Sequence, residues 1–248
     1  MNKPEIILAL DVDTLEKARY FVEKLYPRIK SFKIGSQLFT AYGPEAVNMV
    51  VKKGGRVFLD LKFHDIPKTV HKAVISGSSI GIPMVVSGSA EIGKEAKQAV
   101  SLPIFMMTVH IKGGQAMLEE AARGAKEAAE KLKITKPFIV GVTCLTSDDS
   151  KKDTLKEVLQ AAELAKKSGL DGVVCSALEA AQVRKACGAD FIIVTPGIRS
   201  SKDALNDQKR TADVKSAVKA GSNFLVIGRP ILEANDPIAK TEELLGDL

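Results

Sequence analysis

Tryptophan is absent from this 248-residue chain and tyrosine occurs only three times, leaving aromatic residues at 5%. None is interleaved with a basic cluster, which argues against a stacking platform for single-stranded nucleic acid. No apolar run approaches the roughly 20 residues needed to span a bilayer, so no membrane segment is expected. The three cysteines, Cys144, Cys175 and Cys187, form no C-x-x-C pair, and two sit in apolar strand-like runs. They read as small core residues in a reducing compartment. Met1-Asn2-Lys3-Pro4 passes straight into the apolar Glu5–Leu10, leaving no room for a signal peptide and pointing to a cytoplasmic protein. A net charge of +6 raises the question of nucleic acid. The lysines, however, are mixed with Glu and Asp along helical stretches such as Gly124–Lys133 and Ser150–Lys167, as on solvated faces. An anionic small substrate fits that charge equally well.

What is present is a regular alternation of short apolar runs and amphipathic stretches. Strand candidates are Ile6–Asp11, Ser31–Gly35, Arg56–Phe63, Ile104–His110, Pro137–Thr143, Gly172–Ala177, Phe191–Gly197 and Asn223–Arg229. Helical patterns between them include Thr14–Leu25, Pro44–Lys53, Gln115–Leu132, Thr154–Ser168, Ala177–Cys187 and Thr211–Ala220. Gly169 and Gly221 stand where helices should end. Eight β-then-α units without a composition break predict an α/β protein, an eight-stranded parallel (β/α)8 TIM barrel. The competing open doubly wound sheet would carry a glycine-rich turn after the first strand, whereas this chain has Leu10-Asp11-Val12-Asp13-Thr14 there. One stretch does not fit. Ile82–Gly88 reads as a ninth short strand and Glu91–Val100 as a further helix. Residues 1–248 are therefore read as one barrel domain, with about 78–103 as an insertion or extended βα connection between the third and fourth strands.

Charged residues close several of the apolar runs. Asp60 and Lys62 share one face of an extended strand, with Asp65 just beyond. Buried charges are costly unless paired, so the cluster is either a structural ion pair or a reactive site. Barrel active sites lie at the C-terminal ends of the strands. Those ends carry Asp11, Lys33, Asp60, Lys62 and Asp65, a hydroxyl-rich Thr143–Ser147, Thr195–Arg199 and Ile227–Ile231. Lysines alternating with aspartates keep each other charged, which suits stabilisation of a developing carbanion and delivery of a proton to it. Gly228-Arg229-Pro230, with Arg199 and the polar Ser200–Arg210 nearby, reads as a phosphate grip beneath a mobile loop. His64, His71 and His110 have no H-x-x-x-H spacing and read as polar residues at element ends rather than metal ligands.

In order along the chain come Leu8-Ala9-Leu10-Asp11, Phe32-Lys33-Ile34-Gly35 and Asp60-Leu61-Lys62-Phe63-His64-Asp65-Ile66-Pro67. Met107-Thr108-Val109-His110, Gly141-Val142-Thr143 and Asp171–Ser176 follow, then Val194–Arg199, Asp207-Gln208-Lys209-Arg210 and Leu225–Ile231. Together these blocks resemble orotidine 5'-monophosphate decarboxylase of the bacterial type over nearly the whole chain.

The resemblance implies decarboxylation of orotidine 5'-monophosphate to uridine 5'-monophosphate in de novo pyrimidine synthesis, with neither metal nor organic cofactor. It implies that Lys33, Asp60, Lys62 and Asp65 form an alternating charged tetrad and that Lys62 is the proton donor. Asp65 is expected to reach the neighbouring subunit's site, making a homodimer. Asp11 and Lys33 are similar to the ribose contacts, Thr146 to a contact with the pyrimidine ring, and Gln208, Gly228 and Arg229 to the phosphate grip. Arg199 lies close by, and Ile66 and Thr69 complete the implied substrate-binding set. The chain departs from the family between Thr69 and Met107, where it carries about twenty extra residues. A magnesium-dependent keto-sugar-phosphate decarboxylase shares the D-x-K-x-x-D idea, but Asp207–Arg210 and Thr195–Arg199 argue against it. A non-catalytic nucleotide-phosphate binder would be expected to have lost Lys62 or an aspartate, and an RNA-binding barrel rests only on net charge.

Overall fold

The computed structural model describes residues 3–82, 103–143, 154–199 and 212–248. Eight parallel strands close into a barrel in chain order: β1 Glu5–Ala9, β2 Ser31–Gly35, β3 Arg56–Phe63, β4 Ile104–His110, β5 Phe138–Val142, β6 Gly172–Val174, β7 Ile192–Thr195 and β8 Phe224–Ile227. Around them run α1 Leu15–Leu25, α2 Ser36–Tyr42, α3 Pro44–Lys52, α4 Pro67–Ser79, α5 Gln115–Leu132, α6 Thr154–Lys167, α7 Ala177–Cys187, α8 Val214–Lys219, α9 Arg229–Leu232 and α10 Pro237–Gly246.

The strand pattern of the sequence survives, with the ends of five strands trimmed by one to three residues. The second unit carries two helices where one was expected. Gly43, at φ 54, turns the chain between α2 and α3, a conformation that favours glycine. Thr14 caps α1 through a bond from the Lys17 N–H at 3.2 Å. The strand and helix expected within 82–100 lie outside the described residues, apart from Ile82. The flanks of that stretch are placed: Gly81 packs against Pro103, immediately before β4.

Strand alternation sorts side chains into two layers. Ile6, Leu8, Phe32, Ile34, Val57 and Leu59 face outward and join the helices in the larger core. Ile7, Ala9, Phe58, Met106, Val140, Val194 and Val226 fill the barrel interior. At the N-terminal mouth, Arg56 donates to Glu5 at 2.6 Å and to Ser31 Oγ at 2.8 Å. Its guanidinium also lies 4.2 Å from the centroid of the Phe105 ring. Nearby, Arg184 at the end of α7 donates to the carbonyls of Gly188, Ala189, Phe191 and Gly221 and to Asn223 Oδ1, at 2.6–2.9 Å. That guanidinium ties the entries of β7 and β8 together, leaving the opposite mouth for chemistry.

Candidate active site

The parity that puts Phe58 inside the barrel puts Asp60 there too, and the parity of Phe32 and Ile34 outward puts Lys33 inward. A Val or Leu at each of these buried positions would contribute roughly 1.5–3 kcal/mol of burial. Charge has been placed there instead, and it is paired. Lys33 Nζ lies 2.8 Å from Asp11 Oδ1 and 3.6 Å from Asp60 Oδ2. Lys62 Nζ lies 2.9 Å from both oxygens of Asp60. The result is a continuous alternation Asp11–Lys33–Asp60–Lys62, running from a half-exposed carboxylate through two nearly buried groups to a partly exposed ammonium. Gly35 makes room for it: a Cβ there would stand 3.1 Å from Lys33 Nζ and 3.4 Å from Asp11 Oδ1.

Lys62 is not placed by simple strand alternation. Its φ is +51, a left-handed conformation that costs an L-residue about 1–2 kcal/mol, and β3 loses register with β4 between Leu59 and Phe63. The bulge folds Lys62 back over Asp60. Strain at a charged residue facing a cavity is a recurrent mark of function.

These groups line a cavity of about 500 Å³ together with Arg199, Gly228, Arg229 and Glu233, a volume that suits a nucleotide-sized ligand. Four cationic side chains (Lys33, Lys62, Arg199, Arg229) face three carboxylates (Asp11, Asp60, Glu233) there, so the lining favours an anion. Gly197, at φ 76, turns the chain after β7. Arg199 N–H then donates to Ala212 O at 2.9 Å, pairing the two described residues on either side of 200–211.

The sequence-predicted residues divide into three groups. Asp11, Lys33, Asp60, Lys62, Arg199, Gly228 and Arg229 line the cavity. Asp65, Ile66 and Thr69 do not line it within one chain: all three are exposed, and Asp65 Oδ1 accepts the Ile66 N–H at 2.6 Å. Asp11 therefore supplies the second carboxylate of the alternation inside a single chain. Thr146 and Gln208 lie outside the described residues.

Sequence reasoning passed over Thr108. Its buried hydroxyl donates to Asp60 Oδ1 at 3.0 Å and accepts the Lys62 N–H at 2.8 Å. The available signal was one hydroxyl inside the apolar run Ile104–Val109, since a buried polar group needs a partner. Cys175 also lines the cavity, and Cys187 is buried; Cys144 lies outside the described residues.

The histidines separate. His64 and His110 stack at 5.3 Å beside the site, and burial foremost, then the neighbouring His64, Lys112 and Lys62, holds His110 below its ordinary pKa of 6.5. His71 sits on α4 between Glu120 and Glu127 of α5, at 3.1 and 3.0 Å. Among the described residues no group of three or more His, Cys, Asp or Glu side chains could hold a metal ion, and no helix is long and apolar enough to cross a membrane.

Comparison with known proteins gives this geometry a family. The sequence profile of the Orotidine 5'-phosphate decarboxylase / HUMPS family matches residues 4–244. Orotidine 5'-phosphate decarboxylase of Trichlorobacter lovleyi is 42% identical over 257 residues, covering 99% of this chain and 95% of that protein. The Coxiella burnetii enzyme of the same name is 41% identical over 253 residues, covering 99% and 97%. The crystal structure of orotidine 5'-phosphate decarboxylase from Lactobacillus acidophilus superposes with a TM-score of 0.79 at 32% identity, covering 99% of both chains. With its barrel, its paired charges and these relatives, the chain belongs to the Orotidine 5'-phosphate decarboxylase / HUMPS family.

Proposed function

We propose that this protein decarboxylates orotidine 5'-monophosphate to uridine 5'-monophosphate, without metal or organic cofactor. The observation that carries the reading is the Asp11–Lys33–Asp60–Lys62 alternation lining a cavity that also holds Arg199 and Arg229. In the reaction the bond from the pyrimidine ring to its carboxylate breaks and carbon dioxide departs. The electron pair stays on the ring carbon, with no adjacent carbonyl to absorb it. Fixed charge in place before the substrate arrives stabilises that carbanion, and the Lys62 ammonium transfers its proton to the same carbon. Lys62 then regains a proton from water, to which its side chain is 38% exposed.

Binding is divided between the two ends of the nucleotide. Asp11 and Lys33 serve the ribose hydroxyls, and Thr146 the pyrimidine. Gln208, Gly228 and Arg229 take the phosphate, with Arg199 beside them. Phosphate binding energy is thereby available to hold the ring against the lysines.

Asp65, Ile66 and Thr69 act across a homodimer in this reading, with Asp65 completing the partner's tetrad. Two observations support it: Ile66 stands 67% exposed beside Asp65, and Asp65 does not line the cavity of its own chain. We read residues 1–248 as one barrel domain in the cytoplasm. The stretch 78–103 is then an extended connection, of which Gly81 and Pro103 lie at the mouth away from the site.

Incubation of the protein with orotidine 5'-monophosphate should yield uridine 5'-monophosphate and carbon dioxide in equal amounts; an unchanged nucleotide would sink the reading. The shared site has its own test. Lys62→Met and Asp65→Ala subunits, each inactive alone, should recover about a quarter of wild-type activity when mixed and allowed to exchange, because half the dimers then hold one intact site. No recovery despite exchange would refute the sharing of Asp65.

A further inference from the structure

Thr108 bonds to two members of the charged array, yet neither proton delivery nor phosphate recognition accounts for it. It is the one polar residue in the run from Ile104 to Val109 and is wholly buried. Its position opposite β3 is unusual. The two strands are paired at Leu59 with Met107 and next at Phe63 with Val109. Asp60, Leu61 and Lys62 therefore stand against Thr108 alone, where an ordinary bulge sets two residues against one.

In a regular ladder the Lys62 N–H would find a carbonyl on β4. Here it donates to Thr108 Oγ1 at 2.8 Å, and the same oxygen spends its only hydrogen on Asp60 Oδ1 at 3.0 Å. A peptide nitrogen can only donate and a carboxylate only accept, so the direction of both bonds is fixed. One hydroxyl thus fastens the backbone of one charged residue to the side chain of the other. Thr108 is itself held: its side chain is β-branched and stiff at χ1, and its backbone pairs with Val140 of β5.

We propose that Thr108 is a positioning residue for the reaction. It holds Lys62 in its left-handed turn and Asp60 in one rotamer, so that the ammonium and the carboxylate keep a single mutual arrangement when substrate is bound. The proposal rests on the decarboxylase reading of the same site. Without the hydroxyl, the strained Lys62 backbone loses its tether and Asp60 its third partner, and the ammonium is free to settle away from the reacting carbon. A displacement of about 1 Å can cost about 100-fold in rate, with little effect on the phosphate end of the ligand.

The test compares Thr108→Val, which keeps the shape and removes the hydroxyl, with Thr108→Ser, which keeps the hydroxyl. For Thr108→Val we expect kcat to fall about 10- to 100-fold while the Kd for uridine 5'-monophosphate stays within about threefold. For Thr108→Ser we expect kcat within about fivefold of wild type. Should valine at this packed site give no soluble protein, Thr108→Cys carries the same expectation, because a thiol is a weak donor and acceptor. An unchanged kcat in Thr108→Val would overturn the proposal. So would a loss in Thr108→Ser as large as in Thr108→Val, or a parallel loss of kcat and nucleotide affinity, which a merely structural role would give. Wild-type turnover measured alongside separates the two ideas: an inactive wild type overturns the functional reading and this one together, whereas an active wild type with an unaffected Thr108→Val overturns only the role of Thr108.

Discussion

Replacing Lys62 by methionine keeps an unbranched side chain one atom shorter and removes the proton and the charge. Methionine meets the same left-handed backbone penalty as lysine at φ 51, so that term cancels. Asp60 is not orphaned, because Lys33 Nζ remains 3.6 Å away and the Thr108 hydroxyl 3.0 Å away. The lost pair joins a partly exposed ammonium to a nearly buried carboxylate that keeps two partners, so stability should fall by about 1–3 kcal/mol. The chemical step loses far more. Positioned proton delivery contributes about 100- to 10,000-fold. A unit charge about 4 Å from the developing carbanion contributes about 4 kcal/mol at an effective dielectric of about 20, or roughly another factor of 1,000. Lys62→Met should therefore lower kcat by about 100,000-fold or more, while uridine 5'-monophosphate binds within about tenfold of wild type, since the phosphate groups are untouched. Loss of the ultraviolet absorbance of orotidine 5'-monophosphate reads the first quantity and calorimetric titration the second. A variant turning over within about 100-fold of wild type would refute both the proton-donor role and the electrostatic reasoning.

Three further outcomes follow from the same geometry. Arg229→Ala should chiefly raise KM, with some loss of kcat where phosphate binding energy also closes the loop; an unchanged kcat/KM would remove Arg229 from the phosphate site. Arg184→Met strips five hydrogen bonds from the entries of β7 and β8 and should cost about 3 kcal/mol, visible as a fall in Tm of roughly 5–10 °C, with kcat little changed; an unaltered Tm would contradict the clamp. Because the fold holds His110 below 6.5, the unfolded chain takes up a proton there before the folded one does. Stability should therefore fall as pH drops from about 6.5 toward that lowered value. His110→Asn, whose carbonyl can accept the Lys112 N–H in place of Nδ1, should flatten that slope in denaturant titrations, and identical slopes would refute the assignment.

The barrel was legible because its strands are short apolar runs at regular spacing, and because a charged residue at a strand end keeps the parity of its neighbours. Phe58 and Asp60 show this, as do Ala9 and Asp11. The close packing of Lys62 on Asp60 was foreseen, but for an incomplete reason. Periodicity predicts the face of an extended residue and says nothing of a left-handed bulge at Lys62. The role of Thr108 was hidden for the same cause, since it exists only where β3 and β4 fall out of register. Asp65 reads in sequence as part of one cluster with Asp60 and Lys62, yet the chain turns at Ile66-Pro67 into α4 and leaves Asp65 outside its own cavity. The proposed dimer would return it to such a site, and single-chain spacing carries no trace of a second subunit. The split of the second connection into α2 and α3 was missed because Ser36–Tyr42 lacks helix-start chemistry beyond Gly35 itself, which makes no side-chain cap.

The most direct measurement of the central claim is the rate at which purified protein consumes orotidine 5'-monophosphate, followed by ultraviolet absorbance with and without EDTA. Turnover is expected at equal rates in both, carried by the Asp11–Lys33–Asp60–Lys62 array without a metal. Tight binding of uridine 5'-monophosphate without turnover, or activity that disappears on chelation, would contradict it.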